Sequence, residues 1–167
     1  MNEFKNAKLK AKYSFSTTYI KDYHIFKQQI IEKTIIPYQV EFQAPPRGKK
    51  ICWLECPYCY GLSAEDTKER LSKERGLEIM NDMISGGVKK FIFAGYATDP
   101  LNCSYIEDLL EITVKNNCIF GFNTKALRVS DKFINILKNN NPSEDSYISL
   151  SVDAGSNETY NKIHDVK

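Results

Sequence analysis

Short apolar runs alternate with amphipathic stretches of helical period from Tyr38 to the C-terminus, and this alternation constrains the fold more than any other feature of the chain. The apolar runs are predicted to be four strands, at residues 38–44, 89–95, 118–124 and 146–155. Four βα units with short links require parallel strands and right-handed crossovers. The sequence therefore predicts an α/β fold, either an open sheet or part of a β/α barrel.

The same periodicity predicts the helices that follow the strands. The first is predicted over roughly residues 65–85, where the glycine pair 86–87 ends it. Ser130 and Ser156 are predicted to cap the third and fourth helices. Each of the first three helices has one apolar face, and the residues on these faces are Leu77, Met80, Ile84, Ile106, Leu109, Leu110, Thr113, Phe133 and Leu137.

The beginning of the chain lacks this alternation. It starts with a Lys-rich segment, after which Tyr23, Phe26 and Ile30 recur at helical spacing before a proline. We expect residues 1–37 to be an N-terminal extension with one helix that packs on the core. Residues 38–167 are then the main domain, because a chain of 167 residues is suited to a single core.

Composition excludes several classes of protein. Hydrophobic residues make up 42% of the chain and charged residues 26%, which is typical of a globular protein and not of a disordered one. The 23 basic and 21 acidic residues form no block of like charge, so nothing indicates a nucleic-acid or membrane partner. No segment approaches the roughly 18 apolar residues of a membrane span, and the first residues lack the apolar core of a signal peptide. We therefore expect a cytoplasmic protein.

The segment ICWLECPYCYG, directly after the first predicted strand, carries the strongest chemical signal. It places Cys52, Cys56 and Cys59 in a C-x3-C-x2-C arrangement. In a reducing compartment, clustered thiols bind metal or do redox chemistry more often than they form disulfides. Three thiolates on one loop can hold three corners of a cubic iron–sulfur cluster, which leaves the fourth iron open to a small molecule.

A zinc site is the alternative interpretation of these thiols. Cys103, Cys118 or His24 would have to complete it, because structural zinc takes four ligands, usually from two pairs. The cluster has three cysteines and no second pair. Cys103 and Cys118 are isolated in the sequence and are predicted to be buried structural thiols. His24 and His164 also stand alone and are predicted to be ordinary surface or core histidines.

The cysteine spacing, with the aromatic Tyr58 before the last cysteine and a run of βα units around it, resembles the radical S-adenosylmethionine (radical SAM) family. The resemblance covers residues 38–167 and implies a partial β/α barrel. It also implies a 4Fe-4S cluster whose open iron holds the amino and carboxylate groups of S-adenosylmethionine. Reductive cleavage would give a 5'-deoxyadenosyl radical that abstracts hydrogen from an unknown substrate. An external one-electron donor such as ferredoxin or flavodoxin is implied as the partner.

The same resemblance implies roles for residues at the ends of the strands. Tyr58 would lie against the adenine, and the backbone of Gly95 would meet the methionine end of the cofactor. Asn123, with Thr124, resembles the polar pair often found at the end of the third strand in the family. Ser151 and Asp153 would meet the ribose, and they lie on the polar side of the fourth strand, which we expect to face the barrel interior.

The chain departs from the family pattern after the second strand. The family usually has a Gly-Gly-Glu-Pro type of sequence there, whereas this chain reads AGYATDP, so the glycine matches and the glutamate is missing. From the residues alone, Gly95 could simply end a strand, and Asp99 and Pro100 could form a turn. Ser151 and Asp153 could likewise do no more than begin the turn after the fourth strand.

The number of βα units also differs from the family pattern. The family core commonly has six units, whereas this sequence ends at Lys167 in the helix of the fourth. We therefore expect an incomplete barrel, which could be a fragment, a shortened product or one half of a site shared by two chains. The second hypothesis is accordingly a non-catalytic remnant that binds the cluster, and the third is a zinc-binding interaction module.

Overall fold

Four parallel strands form one sheet, and a helix follows each of them. The structure, a computed structural model, describes residues 23–43, 52, 54, 56–59, 69–95 and 98–164. The strands lie side by side in chain order, and they are β1 (Gln39–Gln43), β2 (Lys90–Ala94), β3 (Ile119–Thr124) and β4 (Tyr147–Leu150). The helices are α1 (Tyr23–Glu32), α2 (Lys73–Ser85), α3 (Ile106–Lys115), α4 (Asp131–Asn139) and α5 (Asn157–His164), with a 3₁₀ turn at Pro100–Asn102. Over these residues the sheet is not closed, and the predicted partial α/β barrel is confirmed.

One face of the sheet carries the hydrophobic core. The register pairs Phe91 with Phe120 and Phe93 with Phe122, so these aromatic side chains share one face. The rings of Phe93 and Phe122 stack with centroids 4.8 Å apart, and the Phe133 ring of α4 meets Phe122 edge-on at 5.2 Å. Burial of these rings, with the apolar faces of the helices above them, is the main stabilising contribution to the domain.

The opposite face of the sheet is the interior of the partial barrel. Its side chains are smaller and more polar than the phenylalanines of the core face. Ile92 pairs with Gly121, and Asn123 pairs with Ser149. A Cβ atom on Gly121 would lie 2.5 Å from the Tyr147 ring, so the third strand needs glycine at this position. The polar side of β4 therefore faces the interior, as the alternation of its side chains predicts.

The predicted helices α3 and α4 form as expected, whereas α2 is shorter than predicted. Helix α2 begins at Lys73 because the Ser72 side chain caps it by accepting a 3.2 Å hydrogen bond from the Arg75 amide. Residues 69–72 are not helical, and the predicted start at residue 65 lies outside the described residues. Ser130 caps α4 through the Phe133 amide, as predicted.

The fourth strand ends earlier than its polar and apolar alternation predicts. It stops at Leu150, and Asp153 adopts a left-handed φ of 58°. This conformation is incompatible with a continuing strand. The apolar side chains Ile148, Leu150 and Val152 are 41%, 56% and 59% exposed, so this edge of the sheet presents an apolar surface.

Helix α1 forms, but it contributes little to the core through the side chains that the structure describes. Ile30, which the spacing places on the packing face, is 49% exposed, and Ile31 is 72% exposed. Ile30 therefore does not supply the packing on the core that is predicted for this helix. The side chains of Tyr23 and Phe26 lie outside the described residues.

Among the described residues, no helix combines the length and apolar character needed to cross a bilayer.

Candidate functional site

A cavity of about 460 Å³ lies at the C-terminal edge of the sheet, and we call it the strand-edge cavity. Loops that follow parallel strands meet at this edge, which is where ligands bind in α/β folds. The structure brings every predicted site residue to the wall of this cavity, namely Cys52, Cys56, Cys59, Tyr58, Gly95, Asn123, Ser151 and Asp153. Residues up to 101 positions apart in the sequence thus converge on one space.

The cysteine loop forms one wall of the cavity. A turn in which the Cys59 amide donates to the Cys56 carbonyl at 3.0 Å brings these two residues together. Cys56 is buried, and Cys52 and Cys59 are partly exposed. Burial raises the pKa of the Cys56 thiol, the Tyr58 hydroxyl and Lys125 lower it, and the neighbouring Cys52 and Cys59 raise it again. The three thiols are therefore close enough to interact electrostatically.

Over the described residues, no group of three or more His, Cys, Asp or Glu side chains is arranged to hold one metal ion. The cysteine loop offers a donor set that fits an iron–sulfur cluster, because a cubic cluster takes one thiolate at each of several corners. Three soft thiols on one loop, with no disulfide among the five described cysteines, fit this group.

Gly95 lies where β2 ends and the chain turns sharply. A Cβ atom on Gly95 would lie 1.7 Å from the carbonyl oxygen of Thr98, a distance that no side chain can adopt. The loop after β2 therefore requires glycine, and the absence of a side chain leaves backbone exposed to the cavity.

Asp99 ties the loop after β2 to the end of β3. Its carboxylate accepts hydrogen bonds from the Thr124 hydroxyl at 2.8 Å and from the Lys125 amide at 2.6 Å. It also accepts from the Leu101 amide at 2.9 Å and caps the 3₁₀ turn, in which Pro100 occupies the first position. The turn role considered for Asp99 and Pro100 is confirmed, and the same carboxylate also fixes the wall of the cavity.

A hydrogen-bonded group in the cavity wall joins the cysteine loop to the ends of β3 and β4. Tyr58 donates to Asp153 Oδ2 at 2.9 Å, and the Lys125 ammonium forms an ion pair with the same carboxylate. Burial and the hydrogen bond to Asp153 raise the pKa of Tyr58 to about 12. The hydrogen bonds from Lys125 and Tyr58 lower the pKa of Asp153. Asp153 is therefore a carboxylate held in place from two sides.

His164 is the site residue that sequence analysis missed. It ends α5 and is fully buried, with Nδ1 2.9 Å from Cys56 Sγ and 3.2 Å from the Tyr58 hydroxyl. Burial, followed by the charge of Lys125, lowers the pKa of the imidazole, and Asp153 opposes this. His164 was predicted to be an ordinary surface or core histidine; it is buried as a core histidine would be, and it also contacts the cysteine loop, which was not predicted. The sequence shows that His164 lies four residues after Tyr160 and so on the same helix face, and the two ring centroids are 4.2 Å apart. No local signal indicates that this helix face meets the cysteine loop.

The remaining cysteines and His24 lie apart from this group. Cys103 and Cys118 are buried in the hydrophobic core, as predicted, and His24 is exposed on α1. None of the three lines the strand-edge cavity.

Comparison with known proteins agrees with the geometry of the site. The sequence model of the radical SAM superfamily matches residues 49–167, which include the cysteine loop and the ends of β2, β3 and β4. No curated protein and no solved structure shows significant similarity to the chain. Members of this superfamily are in general enzymes that use an iron–sulfur cluster to cleave S-adenosylmethionine. Because the match extends over well over half of the sequence, the chain belongs to the radical SAM superfamily.

Proposed function

We propose that the protein binds a 4Fe-4S cluster through Cys52, Cys56 and Cys59 and binds S-adenosylmethionine in the strand-edge cavity. The observation that carries the proposal is that all of the predicted ligand residues line this one cavity. The bound cluster would pass one electron from an external donor to S-adenosylmethionine, giving methionine and a 5'-deoxyadenosyl radical that takes a hydrogen atom from the substrate.

The residues of the chain would bind and orient the cofactor. The exposed ring of Tyr58 offers a face for the adenine, and the backbone at Gly95 can approach the methionine end closely. Ser151 and Asp153 offer an oxygen donor and acceptor for the ribose hydroxyls. Asn123 lies on the same interior face as Ser149 and supplies a further amide donor and acceptor.

The charge of the cavity supports a cationic ligand. Among the described residues of its wall, Glu41, Asp99 and Asp153 are acidic, and Lys125 is the one cation. S-adenosylmethionine carries a sulfonium and an ammonium group against one carboxylate, so its net charge is opposite to that of this wall. A cavity of about 460 Å³ is within the range of small-molecule sites.

The electron donor and the compartment are part of the proposal. A one-electron protein donor of the ferredoxin or flavodoxin class would reduce the cluster. The five cysteines form no disulfide, which supports a reducing compartment such as the cytoplasm.

Anaerobic reconstitution with iron and sulfide tests the cluster. We expect brown protein with about four irons per chain. Cys56→Ala should lose the colour, whereas Cys118→Ala, the matched control at a buried core thiol, should keep it. Colourless protein that retains zinc would contradict the proposal and favour the zinc-binding module.

Reduction in the presence of S-adenosylmethionine tests the reaction. The expected product is 5'-deoxyadenosine, measured by chromatography against the Cys56→Ala variant as the blank. A reconstituted cluster without this product would favour the second hypothesis, a cluster-binding protein without catalysis.

A further inference from the structure

The buried contact between His164 and the cysteine loop is not explained by binding of S-adenosylmethionine. Nδ1 of His164 lies 2.9 Å from Cys56 Sγ, and 108 residues separate the two in the sequence. The imidazole is held on its other side by the Tyr160 ring, 4.2 Å away. The ring therefore has a fixed orientation, with Nδ1 directed at the sulfur.

The hydrogen-bond partners of Nδ1 decide which atom carries the proton. The single proton of the Tyr58 hydroxyl is donated to Asp153 Oδ2 at 2.9 Å, so the Tyr58 oxygen can only accept from His164. A cysteine sulfur bound to iron carries no proton and can also only accept. Because both neighbours of Nδ1 are acceptors, Nδ1 must be the donor.

The second ring nitrogen does not compete for this role. Nε2 is buried and has no hydrogen-bond partner, and Asp153 Oδ2 lies 3.5 Å from it. Whatever its protonation, the hydrogen-bonding contacts of the ring within the described residues are made by Nδ1.

We infer that His164 is a positioning residue for the cluster, whose Nδ1–H group donates a hydrogen bond to the iron-bound sulfur of Cys56 and raises the reduction potential of the cluster. This inference rests on the proposed cluster site. Reduction adds one electron and makes the cluster more negative, so a donor to a ligand sulfur stabilises the reduced form more than the oxidised form.

A redox titration of the reconstituted protein, followed by electron paramagnetic resonance, tests the inference. His164→Leu removes the donor, and His164→Gln keeps an amide donor. We expect the ratio of reduced to oxidised cluster at a fixed potential to fall roughly tenfold in His164→Leu, a shift of about 59 mV to more negative potential for a one-electron couple. The shift should be smaller in His164→Gln. The control is His24→Gln, at the other histidine of the sequence, which is exposed. This change should leave the potential unchanged.

A second measurement keeps the inference testable if His164→Leu does not fold or take up iron. The His24→Gln protein, in which His164 is the one remaining histidine, is labelled with ¹⁵N-histidine and its reduced cluster is examined by pulsed electron paramagnetic resonance. A weak nitrogen coupling supports the hydrogen bond. The absence of any coupling, or the strong coupling of a nitrogen bonded to iron, overturns it.

The two proposals fail in different ways. If the wild-type protein takes up no iron, the proposed function is wrong, and the inference is wrong with it. If the wild-type cluster forms and the potential of a folded His164→Leu variant equals that of the wild type, only the inference is wrong.

Discussion

The hydroxyl of Thr124 donates to the carboxylate of Asp99 at 2.8 Å, which joins the end of β3 to the loop that follows β2. The same hydroxyl accepts a 2.9 Å hydrogen bond from the Ala126 amide. Thr124 is buried at the wall of the strand-edge cavity. The contact fixes the spacing of the two loops that would hold the cofactor.

Thr124→Val tests this contact, because valine has nearly the same shape and lacks the hydroxyl. The change leaves the Asp99 carboxylate and the Ala126 amide each short of one partner. We expect the free energy of unfolding to fall by about 1–3 kcal/mol, measured by urea denaturation. Thr34→Val, at an exposed position after α1, is the control and should change it by less than about 0.5 kcal/mol.

Gly95→Ala should distort the loop after β2, because the new Cβ would lie 1.7 Å from the Thr98 carbonyl oxygen. We expect a loss of about 1–3 kcal/mol in unfolding free energy together with weaker binding of S-adenosylmethionine, measured by denaturation and by calorimetry. Gly155→Ala is the matched control, since no atom other than those of Gly155 and its two chain neighbours lies within 4 Å of its Cβ position. Equal effects of the two substitutions would show that the close approach at Gly95 does not matter.

Asp153→Asn tests the proposed ribose contact and keeps the backbone intact, because asparagine tolerates the left-handed φ of 58°. The variant loses the carboxylate that accepts from Tyr58 and pairs with Lys125. We expect the Kd for S-adenosylmethionine to rise roughly tenfold, about 1.4 kcal/mol, while the iron content stays the same. Asp145→Asn, at an exposed aspartate outside the cavity, should leave the Kd unchanged.

The stability of the helix layer should depend on the ionisation of Asp108. Burial raises the pKa of this carboxyl, but the hydrogen bonds from Lys132 and Lys73 outweigh burial and hold the pKa below its usual value of 3.8. A depressed pKa contributes stability above the unfolded pKa, and this contribution is lost as pH falls through the folded pKa. Because both lysines are about half-exposed, we expect at most about 1 kcal/mol.

The measurement for Asp108 compares the unfolding temperatures of the wild type and Asp108→Asn between pH 7 and pH 3. The wild type should be the more stable protein at pH 7, and the difference should shrink towards pH 3. A difference that does not vary with pH would mean that Asp108 acts through packing and not through its charge.

Gly121→Ala should destabilise the sheet from its interior face, because the Cβ would lie 2.5 Å from the Tyr147 ring and 2.7 Å from Ile92 Cδ1. The expected cost is about 1–3 kcal/mol in unfolding free energy. Combining it with Tyr147→Ala should cost less than the sum of the two single changes, because the ring is then absent. Strict additivity would contradict the contact.

The strands, the helices α3 and α4 and the cysteine loop could be predicted because their signals are local. Alternating side chains gave the position of β3 to within one residue, and the Ser130 cap was visible from the residue type and the apolar spacing that follows. The grouping of Cys52, Cys56 and Cys59 needed only their spacing. Gly95 and Asp153 were assigned to the site through the resemblance to the radical SAM family, and both lie at the edge of the sheet where the ends of parallel strands meet.

The rest of the site depends on contacts that local patterns do not encode. Lys125 directly follows β3, and nothing in the neighbouring sequence distinguishes it from a solvent-exposed lysine. Only the fold shows that it pairs with Asp153, 28 residues later. His164 lies on a helix whose apolar face is weakly marked, and its partner is in a loop near the start of the domain. The start of α2 was predicted too early, because the helical pattern extends to residues before Ser72. The helix itself begins only after Ser72, whose side chain caps it.

The contact between Cys56 and His164 joins a loop near the beginning of the domain to its last described helix. During synthesis on the ribosome, which starts at the N-terminus, the three thiols emerge long before the imidazole that packs on them. A nascent chain would therefore present an open thiol loop, and the Cys56 sulfur gains its histidine neighbour only when α5 has docked.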